Sequence, residues 1–122
     1  RAESLQIGRY NTTTKYEGHL DSDPGHKVAR PYTMLTYLNE PEEGGHTLFP
    51  VGRDCGAKWH VHPDTGEKVY GAKLCCETPE KDPPSMVRVR PKLGRAVLFY
   101  NHHRDGEKDE NALHVACPVT KG

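Results

Sequence analysis

The chain has 122 residues, 34% hydrophobic and 28% charged, with 17 basic side chains balanced by 17 acidic ones. That length supports one hydrophobic core rather than two, and a formal net charge of zero provides no global field to draw in nucleic acid or an anionic membrane. No run approaches the roughly 18 apolar residues needed to span a bilayer, and the opening RAESLQIGRY lacks the apolar centre of a secretion signal, so either the chain is soluble or its targeting segment lies outside this sequence.

Ten prolines and twelve glycines interrupt the chain too often for long helices, and a mean hydropathy of -0.85 points to long solvated loops. Residues 4 to 10, SLQIGRY, read as a strand entering the domain, followed by the polar turn NTTTK. Next comes KYEGHLDSDP, in which His19 and Asp21 stand two apart. On extended backbone that spacing puts an imidazole and a carboxylate on one face. YTMLTYL, 32 to 38, is rich in Thr, Tyr and long apolar side chains, reads as a strand, and stops at the turn signal NEPEEGG. After the short HTLFP, residues 51 to 85 lose periodicity and are read as a long irregular insertion.

Order returns at MVRVRP, where Val87 and Val89 alternate with Arg88 and Arg90 as in a half-buried strand. RAVLFYN has the apolar run of a central strand and leads into the polar loop HHRDGEKDEN, whose His102 and His103 read as solvated or substrate-facing. In the last strand, ALHVACPV, Ala112, His114 and Ala116 share one face while Leu113, Val115 and Cys117 share the other. Two flanking alanines leave room in front of His114. The sum is several short strands with no convincing helix: a β-sandwich or jelly roll in a single domain, 1 to 122.

The insertion contains a second H-x-D, His62-Pro63-Asp64, but its central proline resists a paired strand and marks a turn. Cys55, Cys75, Cys76 and Cys117 fit no tight zinc knuckle. Either Cys55 bonds Cys75 or Cys76, or the thiols are free; a structural zinc held by Cys55, His60, His62, Cys75 and Cys76 carries less weight. The redox compartment stays open.

The candidate chemistry is a 2-His-1-carboxylate triad, the ligand set that holds non-haem Fe(II) and leaves positions open for cosubstrate and O2. His19 and Asp21 would come from an early strand edge and His114 from a late strand, facing across the mouth of a rolled-up sheet. Four segments in order carry a more specific signal: RYNTTTKYEGHLD, RPYTMLTYLNEPEEGGHTLFP, VRVRPKLGRAVLFYN and ALHVACPVTKG. Over residues 5 to 50 and 86 to 122 the chain resembles the catalytic domain of prolyl 4-hydroxylases, Fe(II)- and 2-oxoglutarate-dependent dioxygenases, and by that resemblance is expected to be truncated at both ends.

That resemblance implies a double-stranded β-helix (jelly roll, cupin-like) with a cysteine-containing insertion at 51 to 85. It implies His19, Asp21 and His114 as catalytic iron ligands, Tyr10 and Thr47 as hydroxyl partners of 2-oxoglutarate, and Tyr16 and Arg30 along a peptide groove. The implied activity is C4 hydroxylation of peptidyl proline with release of succinate and CO2, O2 as cosubstrate and ascorbate to rescue oxidised iron. The implied partner is a proline-containing peptide or protein; oligomeric state is not implied. The family's eukaryotic members suggest the endoplasmic reticulum or secretory pathway, its bacterial members the cytoplasm. The family also places a lysine ten residues after the second histidine, a position that would be 124. Lys121, at the odd offset of seven, faces the opposite way on an extended strand and is not given that role. The family usually shows an acid where His46 stands, a local substitution. Two rival readings follow: a dioxygenase acting on another protein residue, and a non-catalytic jelly-roll binding module with a Cys/His zinc insertion.

Overall fold

The computed structural model describes residues 4–10, 18–21, 30–56 and 58–122. The fold is mainly β. Its strands are β1 (Gly18–His19), β2 (Tyr32–Thr36), β3 (Glu43–Gly44), β4 (Thr47–Phe49), β5 (Trp59–Val61), β6 (Lys68–Tyr70), β7 (Val87–Val89), β8 (Ala96–Tyr100), β9 (His114–Ala116) and β10 (Val119–Lys121). One α-helix, α1 (Gly71–Glu77), and short 3-10 turns at Pro79–Lys81 and Glu110–Ala112 complete it. A four-stranded sheet runs in the order β1-β9-β4-β7, and β10-β3, β2-β8 and β5-β6 form separate antiparallel pairs.

Period-2 alternation gives the four-stranded sheet two different faces. Register pairs Thr47 with Val89 and Ala116, and Leu48 with Arg88 and Val115. Leu48 and Val115 therefore share one face, both fully buried, against Cys55, Ala72, Cys75, Met86 and Cys117. The opposite face carries Thr47, Phe49 and His114. Phe99 of β8 meets both Phe49 and His114 at centroid distances of 5.0 Å, so the inner face of the β2–β8 pair lies over this face of the sheet. Strand β4 is consequently covered on both sides, and all three of its residues are buried.

Several sequence expectations change here. Residues 4–10 form no strand and are exposed. RAVLFYN is not a central strand: among the described residues β8 pairs only with β2, and its outer face exposes Leu98 and Tyr100. The short HTLFP takes the central position instead. In β7 the apparent alternation is inverted, because Arg88 lies on the core face and Val87 is half-exposed. Arg88 satisfies its guanidinium there with both oxygens of Asp82, at 2.7 and 2.9 Å, and with the Cys75 carbonyl at 2.6 Å. A planar fork saturated by a carboxylate and a carbonyl can lie over a core that would reject an unpaired cation.

The insertion is not irregular. β5 and β6 form a hairpin whose turn runs through Pro63–Thr65, as expected for the second H-x-D, and Gly66 closes it with its N–H on the His62 carbonyl. Trp59 stacks on its cross-strand partner Tyr70 at 4.1 Å. The helix α1 follows directly, and the Leu74 carbonyl in its last turn accepts from both the backbone N–H and the side-chain hydroxyl of Thr78. Disulfides join Cys55 to Cys75 and Cys76 to Cys117, which leaves no free cysteine and removes the proposed zinc set. The adjacent Cys75 and Cys76 thus bond in different directions, one within the insertion and one to the segment after β9. Among the described residues, no helix is long and apolar enough to cross a membrane.

Candidate metal centre

The site begins with a register. β1 pairs with β9 so that His19 lies directly opposite His114, with Gly18 opposite Val115. The two imidazoles meet edge-on, centroids 4.2 Å apart. Asp21 stands just past the end of β1 and brings Oδ1 to 3.2 Å from His19 Nε2 and 3.6 Å from His114 Nε2. One nitrogen or oxygen from each residue fits within 4.8 Å of the others, the only such three-residue cluster of His, Cys, Asp or Glu among the described residues. The two candidate histidine ligands therefore come from adjacent strands of one sheet, with Asp21 just beyond one of them, not from opposite sides of a barrel mouth.

The donor chemistry fits a divalent cation. His114 is 9% exposed, and its Nδ1 lies 2.9 Å from the Ala112 carbonyl, which has no proton of its own. Nδ1 must therefore carry the hydrogen, leaving the Nε2 lone pair directed at the cluster. Burial lowers the His114 pKa, with the nearby His19 adding to that shift, although the Ala112 bond and Asp21 oppose it. Asp21 is held ionised, its pKa lowered to about 2 chiefly by the His19 hydrogen bond, against burial and with further help from Thr33 and the two imidazoles. A neutral imidazole and an ionised carboxylate are the forms that ligate metal. An orienting bond on the far ring nitrogen is also the usual arrangement behind a ligating histidine.

Other residues surround this cluster. Phe49 and Phe99 pack on His114 at 5.8 and 5.0 Å and screen its inner side from solvent. Thr33 donates to Asp21 Oδ2 at 2.8 Å, and the Arg30 guanidinium donates to the Asp21 backbone carbonyl at 3.1 Å. Tyr37, just beyond β2, donates its hydroxyl to Thr47 Oγ1 at 2.6 Å. Burial raises the Tyr37 pKa, so the phenol stays protonated.

Of the sequence-selected residues, the structure brings together His19, Asp21 and His114, and places buried Thr47 on the same sheet face. Arg30 lies beside Asp21. Tyr10 is 51% exposed on the 4–10 segment and makes no hydrogen bond to the triad among the described residues. Tyr16 lies outside the described residues. His102 is tied into the loop by a 3.1 Å bond to the Gly106 carbonyl, and half-exposed His103 lies 3.7 Å from Asp109. Lys121 pairs with Glu42 at 3.2 Å, far out on β10, consistent with leaving it unassigned. Sequence reading missed Thr33, Tyr37, Phe49, Phe99 and Asn101. The available signal was alternation: Thr33 and Tyr37 share a parity in YTMLTYL, as do Phe99 and Asn101 in AVLFYN.

Comparison with known proteins agrees with this geometry. The sequence profile of the 2OG-Fe(II) oxygenase superfamily matches residues 5–122, so the match runs through the insertion as well as the four segments. Prolyl 4-hydroxylase 13 of Arabidopsis thaliana is 34% identical over 98% of this chain and 39% of its own length. Probable prolyl 4-hydroxylase 7 of the same plant is 32% identical over 98% of the chain and 35% of its own length. The chain spans well under half the length of these curated relatives. By profile match and by these relatives, the chain belongs to the 2OG-Fe(II) oxygenase superfamily, whose members use Fe(II), 2-oxoglutarate and O2, and it is similar to prolyl 4-hydroxylases.

Proposed function

We propose that this chain is the catalytic domain of an Fe(II)- and 2-oxoglutarate-dependent dioxygenase that hydroxylates peptidyl proline at C4. The observation that carries the reading is the convergence of His19 Nε2, Asp21 Oδ1 and His114 Nε2 on one point. The names of the relatives support the substrate, and the two facing β-layers support a double-stranded β-helix.

In this reading His19, Asp21 and His114 hold Fe(II) by three protein donors. The bound metal and cosubstrate supply O2 activation: one oxygen atom goes into proline and the other into succinate, with CO2 released from 2-oxoglutarate. The protein's part is ligation, orientation and exclusion of water. The Ala112 carbonyl holds the His114 ring in its Nδ1–H tautomer, and Phe49 and Phe99 keep water from its inner side. Thr47 and Tyr37 would present two hydroxyls to a cosubstrate carboxylate on the same face; Tyr10 is a further hydroxyl by the resemblance alone. By the resemblance Tyr16 and Arg30 would contact the peptide, and ascorbate would serve to keep the bound iron as Fe(II). Two disulfides need an oxidising compartment, which favours the secretory pathway.

The test is succinate formation by the whole chain with Fe(II), 2-oxoglutarate, ascorbate and a proline-rich peptide, alongside mass analysis of the peptide. One added oxygen on proline, lost in His19→Ala and Asp21→Ala, is expected. Turnover that survives both substitutions overturns the site, and oxygen added to another residue type overturns the substrate.

A further inference from the structure

We propose that Asn101 and Thr33 form a hydrogen-bond relay that fixes which oxygen of Asp21 faces the metal, making both of them positioning residues for the centre. The inference rests on the metal-site reading above and deepens it. Asp21 Oδ1 is the oxygen near His19 and His114, whereas Oδ2 accepts the Thr33 hydroxyl at 2.8 Å. Thr33 Oγ1 lies 2.9 Å from Asn101 Nδ2.

The polarity of this chain follows from proton counting. An ionised carboxylate has no hydrogen, so the single hydroxyl hydrogen of Thr33 goes to Asp21. Thr33 Oγ1 can then only accept, and Asn101 must present its NH2 end. The reversed amide would bring two acceptors face to face. One consequence is visible: Asn101 Oδ1 is buried with no hydrogen-bond partner among the described residues.

The relay stands on fixed backbone. Asn101 is 2% exposed; its N–H donates to the Pro31 carbonyl at 2.9 Å, and its carbonyl accepts from Asp109 N–H at 3.0 Å. Thr33 pairs with Phe99, two residues before Asn101, so both side chains leave the same inner face of the β2–β8 pair. The chemical effect is on denticity. A carboxylate with both oxygens open can chelate a cation and take two of its positions. With Oδ2 occupied, Asp21 is confined to one position, which leaves the rest for cosubstrate and O2.

Co(II) binding to the whole chain tests this without catalysis, through its dissociation constant and visible absorption. The variants are Thr33→Val, which removes the hydroxyl while keeping the shape, Asn101→Asp, which replaces the donor by an acceptor, and Thr33→Ser, which keeps the hydroxyl. Thr33→Val and Asn101→Asp are expected to weaken Co(II) binding about 10- to 100-fold and shift the absorption, with Thr33→Ser restoring both. Thermal unfolding without metal separates this from a packing role, which lowers the midpoint and leaves the affinity of the folded chain unchanged. If Asn101→Asp does not fold, Thr33→Val decides alone. Unchanged affinity and absorption in Thr33→Val overturn the relay; no Co(II) binding by the unmodified chain overturns the metal-site reading and the relay with it.

Discussion

His19 and His114 are direct cross-strand partners on β1 and β9, their rings 4.2 Å apart although 95 residues separate them in sequence. Antiparallel register thus sets the spacing of two candidate ligands, and the i, i+2 step to Asp21 adds the third. The partners differ in environment: the His114 side chain is 11% exposed and sits against two phenylalanine rings, while that of His19 is 48% exposed on a two-residue edge strand.

That difference predicts separable effects. His19→Ala and His114→Ala should each weaken divalent-metal binding by roughly 100-fold or more, beyond the range seen for outer-shell changes. His114→Ala should also destabilise the metal-free fold more than His19→Ala does, by about 1–3 kcal/mol, because it opens a cavity beside Phe49 and Phe99 and leaves the Ala112 carbonyl without its donor. Calorimetric metal titration and urea unfolding of both variants check this. Equal loss of metal-free stability in the two would show that the burial difference does not matter.

The disulfides should couple the insertion to the site. Cys76–Cys117 closes a loop with a sequence separation of 41, and Cys117 is three residues past the candidate ligand His114; Cys55–Cys75 closes one of 20. Each is expected to contribute about 2–4 kcal/mol, chiefly by restricting the unfolded chain. Cys76→Ala together with Cys117→Ala should therefore lower the unfolding midpoint and weaken metal binding, while the Cys55 and Cys75 pair of alanines should act mainly on stability. Metal affinity unchanged in the first double variant would show that the anchor does not reach β9.

What was legible in the sequence was local. Strand alternation put His114 and Ala116 on one side, although Ala112, expected on the same strand, lies in the 3-10 turn before β9, and the H-x-D spacing supplied two candidate ligands. The unread parts depended on partners distant in sequence. Arg88 looked like the polar half of an alternating strand because nothing nearby announced that Asp82 and the Cys75 carbonyl would satisfy it on the core face. RAVLFYN looked central because its apolar run was continuous, yet only Val97 and Phe99 turn inward and Leu98 and Tyr100 remain exposed. The hairpin and helix between 59 and 77 were hidden by charged composition, since a segment stapled by two disulfides needs little apolar periodicity of its own. Thr33 and Asn101 were passed over because each is an ordinary strand residue until the other, and Asp21, are in place.

The turn before β4 gives a further prediction. Gly44 has φ +82°, and a Cβ there would lie 2.5 Å from the Pro118 carbonyl and 2.7 Å from Thr120 N, both backbone atoms that cannot swing aside. Gly94 has a similar φ of +80° with nothing within 4 Å of its would-be Cβ. Gly94→Ala should cost only the left-handed backbone strain, about 1–3 kcal/mol. Gly44→Ala should cost more, because it also forces β3 away from β10. Urea midpoints for the two variants, measured together, test the comparison. Equal losses would mean that the β3–β10 contact yields without cost.

Asp82 should impose a pH dependence on stability that is independent of any metal. Its hydrogen bonds to Arg88, and then those to Arg53, hold its pKa below the ordinary value near 3.8, against the opposing effect of burial. A carboxyl whose pKa is lower folded than unfolded stabilises the fold above the unfolded value and loses that contribution as pH falls through the folded one. The network borders solvent, so screening limits its worth to about 1–2 kcal/mol rather than the larger value of a dry pair. Asp82→Asn should therefore be less stable than the unmodified chain by that amount at about pH 6, and the gap should shrink steadily as the pH is taken below about 4. Subtracting the variant's curve from that of the unmodified chain cancels the titration of other carboxyls, Asp21 included. A difference that stays constant down to about pH 2 would mean that the substitution costs packing alone and that the ion pairs of Asp82 with Arg88 and Arg53 contribute nothing net.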